Sequence, residues 1–126
     1  MAFTDYLENK FVAHTFSNTA FTSPSSVFVA LYTVAPTDST TGTEVSGGGY
    51  ARQSASFTTT GNAATNASAI EYPTATGNYG TVVATARLDA SSGGNMLAYA
   101  TLSASKTIST GDVFRIPAGD LDITLD

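Results

Sequence analysis

The sequence predicts a mainly β fold: a single-domain antiparallel β-sandwich or barrel led by one N-terminal α-helix. Apolar residues near the start recur at helical spacing, and about seven short apolar runs follow. Clusters of Gly, Pro, Asn and Asp separate those runs.

The helix is expected within residues 1–18. Phe3, Leu7 and Phe11 fall at i, i+4 spacing, and Val12 and Phe16 widen the stripe. Thr4 is a suitable N-cap, and Asp5 and Glu8 occupy the first turn, where the helix dipole favours negative charge. Asn18 is a natural stop. The stripe must be covered, either by the sheet of this domain or by a neighbouring subunit.

Residues 27–126 read as the β part. The run 27–32 (VFVALY) is apolar on both faces, as in a strand covered on both sides, and Pro36 ends it. Residues 37–49, with Asp38, Gly42 and three consecutive glycines, read as loop. A weaker alternation over 50–57 suggests the next strand, Gly61 and Asn62 a turn, and 69–72 a short strand closed by Pro73. Residues 81–88 alternate, placing Val82, Ala84, Ala86 and Leu88 on one face and Thr81, Val83, Thr85 and Arg87 on the other. A turn-rich connector leads to a returning strand over 96–102. Another follows over 113–116, and in the last one Leu121, Ile123 and Leu125 face inward.

At 126 residues the chain suits one domain, 1–126, with enough surface to bury for a core of its own. The absence of cysteine excludes disulfides and thiolate metal sites. Five Lys and Arg stand against ten Asp and Glu, a net charge of -5, and the positive residues are scattered singly. That argues against nucleic acid, which needs clustered positive charge. With 42% hydrophobic residues and only 12% charged, the composition fits an ordered protein with a neutral, hydroxyl-rich surface. No apolar run approaches the ~20 residues of a membrane span. The N-terminus lacks the pattern of an export signal, so synthesis in the producing cell's cytoplasm is expected.

Catalytic constellations are not apparent. His14, the single histidine, lies on the expected helix, where it complements the C-terminal dipole. Nothing in its context supplies a triad. Asp120 and Asp122 share a strand face and could join Asp112 or Asp126 around a cation, but the dense spacing of a calcium loop is missing, so no metal is expected. Gly47, Gly48 and Gly49 precede neither Lys-Ser/Thr nor a helix, which argues against a phosphate cradle. No cofactor is expected. A carbohydrate-binding module would need aromatic side chains exposed on one sheet face.

Two strings carry a family resemblance: 31–38, LYTVAPTD, and 42–52, GTEVSGGGYAR. With the amphipathic N-terminal segment before them, and with Leu88-Asp89-Ala90, Gly93-Gly94-Asn95, Gly111-Asp112, Pro117-Ala118-Gly119 and 121–125 after them, the chain resembles small tailed-bacteriophage virion proteins, described as tail-fibre-like or virion structural proteins. The resemblance implies a virion component that is not an enzyme. Small size and the lack of a stalk lead to the expectation of a capsid decoration (cement) protein on the capsid surface. Its expected partners are the major capsid protein and itself, as a homotrimer. The alternative is a structural protein or adaptor associated with the tail or fibre. Contact elements are expected at Phe3, Leu7 and Phe11 and along the loop carrying Glu44, Gly47, Gly48, Gly49, Tyr50 and Arg52.

Overall fold

The computed structural model describes residues 2–125. A short strand, β1 (Ala2–Phe3), precedes the single helix, α1 (Asp5–Phe16). Then follow β2 (Val27–Val34), β3 (Thr43–Glu44), β4 (Gln53–Ala55), β5 (Phe57–Thr60), β6 (Ala63–Asn66) and β7 (Ile70–Glu71). The chain closes with β8 (Gly80–Leu88), β9 (Met96–Ile108), β10 (Arg115–Ile116) and β11 (Asp122–Thr124).

The strands form three antiparallel sheets. The largest, of six strands, runs β1-β9-β8-β2-β3, and β4 pairs with the other end of β2. A three-stranded sheet, β11-β6-β5, and a two-stranded one, β10-β7, complete the set. Val29, Leu31 and Val82 of the large sheet share one core with Ile70, Ile116 and Leu121 from the smaller sheets and their approaches. The small sheets thus cover one face of the large one, the layering of a sandwich rather than a closed barrel. On the opposite face Ala30, Ala84 and Ala86 pack among Tyr32, Leu88, Met96 and Tyr99. Both faces of β2 are therefore covered, as its unbroken apolar run requires, and Val29 to Tyr32 are all buried.

The alternation expected for 81–88 holds for Ala84, Ala86 and Leu88 but not for Val82, which joins the other core. A register shift is the cause: Ala84 pairs with Thr101 while Val82 pairs with Lys106. Residues 102–105 of β9 thus stand opposite Val83 alone, a large bulge that turns the end of β8 over. The returning strand is correspondingly longer than expected, reaching Ile108. Three further elements, β1 ahead of the helix, β3 inside the expected loop and β6 after the Gly61-Asn62 turn, add to the predicted set, and the single strand expected over 50–57 is replaced by β4 and β5. Of the three residues expected to face inward at the end of the chain, Ile123 lies in β11 and is half-buried, while Leu121 before it is buried and Leu125 after it is exposed.

Helix α1 begins as its sequence dictates. Thr4 is its N-cap; the Thr4 Oγ1 accepts from the Leu7 N–H at 3.4 Å and itself donates to the Met96 carbonyl at 2.6 Å. That second bond ties the helix start to β9. Asn18, with φ +52°, takes the left-handed turn just past the Ser17 C-cap. Phe3, expected on the helical stripe, belongs instead to β1, where it pairs with Ala98. Met1, at the head of the expected helix, lies outside the described residues.

Candidate interaction surfaces

The glycine-rich string folds into a clamp. Glu44 sits in β3, anchored to β2 by the Tyr32 pairing, and Arg52 immediately precedes β4. The Arg52 Nε donates to Glu44 Oε2 and its Nη2 to Oε1, each at 2.9 Å, a bidentate geometry. Its Nη1 reaches the carbonyls of Ala90 and Gly93, again at 2.9 Å, in the turn between β8 and β9. Tyr50 completes the arrangement: its hydroxyl donates to Glu44 Oε2 at 2.8 Å and accepts from the Leu31 N–H at 3.0 Å. The Tyr50 ring stacks on Tyr72 at 6.1 Å and meets Tyr79 edge-on at 5.7 Å.

This environment tunes its acids. Burial pushes the Glu44 carboxyl upward, yet hydrogen bonds from Arg52 and Tyr50 outweigh it and hold the group below its ordinary value. The bond to Glu44 raises Arg52. Burial, with the Glu44 charge nearby, pushes the Tyr32 phenol up to about 12.

The glycines serve the same loop. All three adopt positive φ, and Gly48 lies so close to Gly77 that a Cβ would come within 2.5 Å of the Gly77 carbonyl oxygen. The Gly48 carbonyl accepts from the Thr76 N–H at 2.9 Å. Glu44, Tyr50 and Arg52 thus spend their polar groups on this chain itself. Beside them a shallow depression of about 480 Å³ opens between Ser46 and Gly47 and the Ser91–Gly93 turn.

The second surface is the helix. None of the residues of α1 is buried, and Phe11, Val12 and Phe16 are 49%, 52% and 77% exposed. Phe3, Leu7, Glu8, Phe11, Val12 and Leu125 line a groove of about 350 Å³. The structure therefore gathers Phe3, Leu7 and Phe11 as the sequence suggested and adds Leu125. It places Glu44, Gly47, Gly48, Gly49, Tyr50 and Arg52 in the separate clamp.

The family described as Podophage GP4 fiber I protein gp80 matches residues 2–124. The chain belongs to this family. It is a structural protein of the phage virion, of fibre type. No curated protein matches the chain.

In this gp80-family chain, acidic groups meet at one further place. Among the described residues, Asp5, Glu8 and Asp38 bring one oxygen each within 4.8 Å of one another, all exposed. Tyr99 already donates its hydroxyl to Asp38 Oδ1 at 2.6 Å. The grouping of Asp112, Asp120 and Asp122 weighed from the sequence does not form among the described residues, and Asp126 lies outside them. The Asp112 carboxylate accepts from the Ser109 N–H instead. His14 Nδ1 accepts from the Phe21 N–H at 3.1 Å, securing the segment that follows the helix.

Proposed function

We propose that this chain is a non-enzymatic, fibre-type structural module of the virion that works by self-association, with α1 as its contact. One observation carries the reading: a two-sided core is well covered elsewhere, yet the helix leaves Phe11, Val12 and Phe16 in solvent beside an apolar groove. A helix of this length is marginal in water unless an apolar face packs. Covering each large side chain is worth about 1.5–3 kcal/mol.

The proposed occupant is a second copy of the chain. Asp5 and Glu8 stand at the start of α1, while Lys10 and His14 follow toward its end. Two helices crossing head to tail set Glu8 of one copy near His14 of the other, with their dipoles opposed. A homotrimer with α1 aligned along its three-fold axis would instead run three acidic starts side by side, so charge favours the pair over that arrangement. Phe11 and Phe16 together expose on the order of 250 Å², about a third of the ~800 Å² each partner contributes to an ordinary interface. Flanking residues of β1 and β11 must supply the rest.

The family supports a location in the tail or fibre ahead of the capsid-decoration role. The non-enzymatic reading is supported by His14, the single histidine, which sits on the exposed helix and is engaged by backbone.

Light scattering of the purified chain tests the proposal. A dimer is expected, and a Phe11→Ser, Phe16→Ser double variant should be monomeric, with a cooperative melt whose midpoint no longer depends on protein concentration. A monomeric wild type, or a variant that associates like wild type, would overturn it.

A further inference from the structure

We propose that the cleft between the β9 bulge and the segment from β10 to β11 binds an anionic sugar through its carboxylate. The bulge pushes residues 102–105 away from β8 and opens a cleft of about 360 Å³. Its lining includes Thr85, Ser103, Lys106, Phe114, Arg115 and Asp120. Lys106 and Arg115 enter no ion pair among the described residues. In a chain carrying a net charge of -5 and few cations, two free ones at a single cleft are a local reversal of sign.

A third cation, Arg87, does not line the cleft but lies buried close to it along β8. Arg87 is two residues along β8 from Thr85, and the unbroken register between Ala84 and Arg87 puts both side chains on the same face. Arg87 is 2% exposed, and its Nε and Nη1 have no hydrogen-bond partner among the described residues. Burial lowers its pKa, yet only to about 10, so it stays charged at neutral pH. The nearby Tyr72 cannot neutralise it, because that phenol is pushed up by burial and donates its proton to the Val29 carbonyl at 2.8 Å. The Tyr72 ring lies 5.8 Å from that of Phe114, which lines the cleft. An uncompensated charge in such a low-dielectric interior projects a field that solvent screens poorly, and the cleft is its neighbour.

The remaining lining selects the ligand class. A volume of this size is at the small end of ligand sites and holds a sugar unit. Asp120 repels densely charged anions such as phosphate but accepts from hydroxyl groups. Thr85 and Ser103 add hydroxyls, and the half-buried Phe114 ring offers a face for the C–H side of a sugar. A neutral sugar would leave the cations uncompensated, whereas a uronic or sialic acid supplies both the carboxylate and the hydroxyls.

The test is calorimetric titration of the full chain with oligogalacturonate, hyaluronan fragments and oligosialic acid. Each is compared with a neutral oligosaccharide of equal length. At least one acidic series should bind ~10-fold or more tightly than its neutral counterpart and weaken with salt. Lys106→Ala with Arg115→Ala, both at exposed positions, should lower that affinity by ~10-fold or more, and Arg87→Met by several-fold. The double variant should keep the oligomeric state of wild type, so failure here is distinguishable from failure of the helix contact. The proposal is overturned if no acidic series binds, if neutral sugars bind equally well, or if the double variant binds like wild type. Displacement of the sugar by polyglutamate at lower concentration would assign the cleft to an acidic peptide and also overturn it.

Discussion

Arg52 grips Glu44 with two parallel hydrogen bonds while its third nitrogen holds the carbonyls of Ala90 and Gly93. One planar group thus fixes the relative positions of β3, the start of β4 and the turn after β8. Lysine offers a single point of charge and cannot span this fork. Arg52→Lys is expected to cost about 1–3 kcal/mol, read as a lower denaturation midpoint. A shift within experimental error would show that the clamp contributes nothing to stability.

The same pair should make stability depend on acid. The folded protein binds the Glu44 proton more weakly than the unfolded chain does, because Arg52 and Tyr50 hold the carboxyl below its ordinary value of 4.5. Its contribution is therefore complete above that value and fades as the pH falls through the lower folded value. Urea midpoints of wild type and Glu44→Gln, compared at about pH 6 and about pH 3, should converge in acid. A gap that stays constant across that range would assign the linkage to other carboxylates.

Two neighbouring glycines should respond differently to alanine. Gly47 and Gly48 both have positive φ, so each replacement carries about 1–2 kcal/mol of backbone strain. At Gly47 a Cβ meets open space, whereas at Gly48 it collides with the backbone of Gly77. Gly48→Ala should therefore cost clearly more than Gly47→Ala in thermal melts. Equal costs would mean that the two loops part easily.

Thr4 couples helix and sheet through one hydroxyl. Thr4→Ala removes both the cap and the bond to Met96, for about 1–2 kcal/mol. Because α1 has little other packing, the loss should be local. Amide exchange is expected to accelerate across Asp5–Phe16, while the buried part of β8 keeps its protection. Uniform acceleration throughout the chain would contradict this.

Much of this fold was legible because it follows from local pattern. Thr4 as cap, Asn18 as stop, the doubly apolar β2 and the Gly61-Asn62 turn each depend on residues close in sequence. The turning of Val82 away from Ala84 did not, because it arises from the pairing of β8 with residues more than a dozen positions away. Phe11 fits a helical stripe whether that stripe meets its own sheet or another molecule, so spacing alone could not show that it stays exposed. The surfaces divide similarly. Glu44 and Arg52 stood out as contact residues of one loop, but the commitment of Arg52 to Glu44 is a matter of folding, and its bonds to Ala90 and Gly93 depend on a turn some forty residues away, signalled only by Gly93-Gly94-Asn95. Arg87, in an alternating strand, gave no sign of being buried with its Nε and Nη1 unpartnered among the described residues.

The reach of Arg52 to Ala90 and Gly93 closes loops spanning 38 and 41 positions along the chain, a task often given to a disulfide in small domains. Here it is done without sulfur. The tie can form as soon as the chain folds, needs no oxidant and is indifferent to thiols such as glutathione. Concentrated salt and acid are the agents that loosen it.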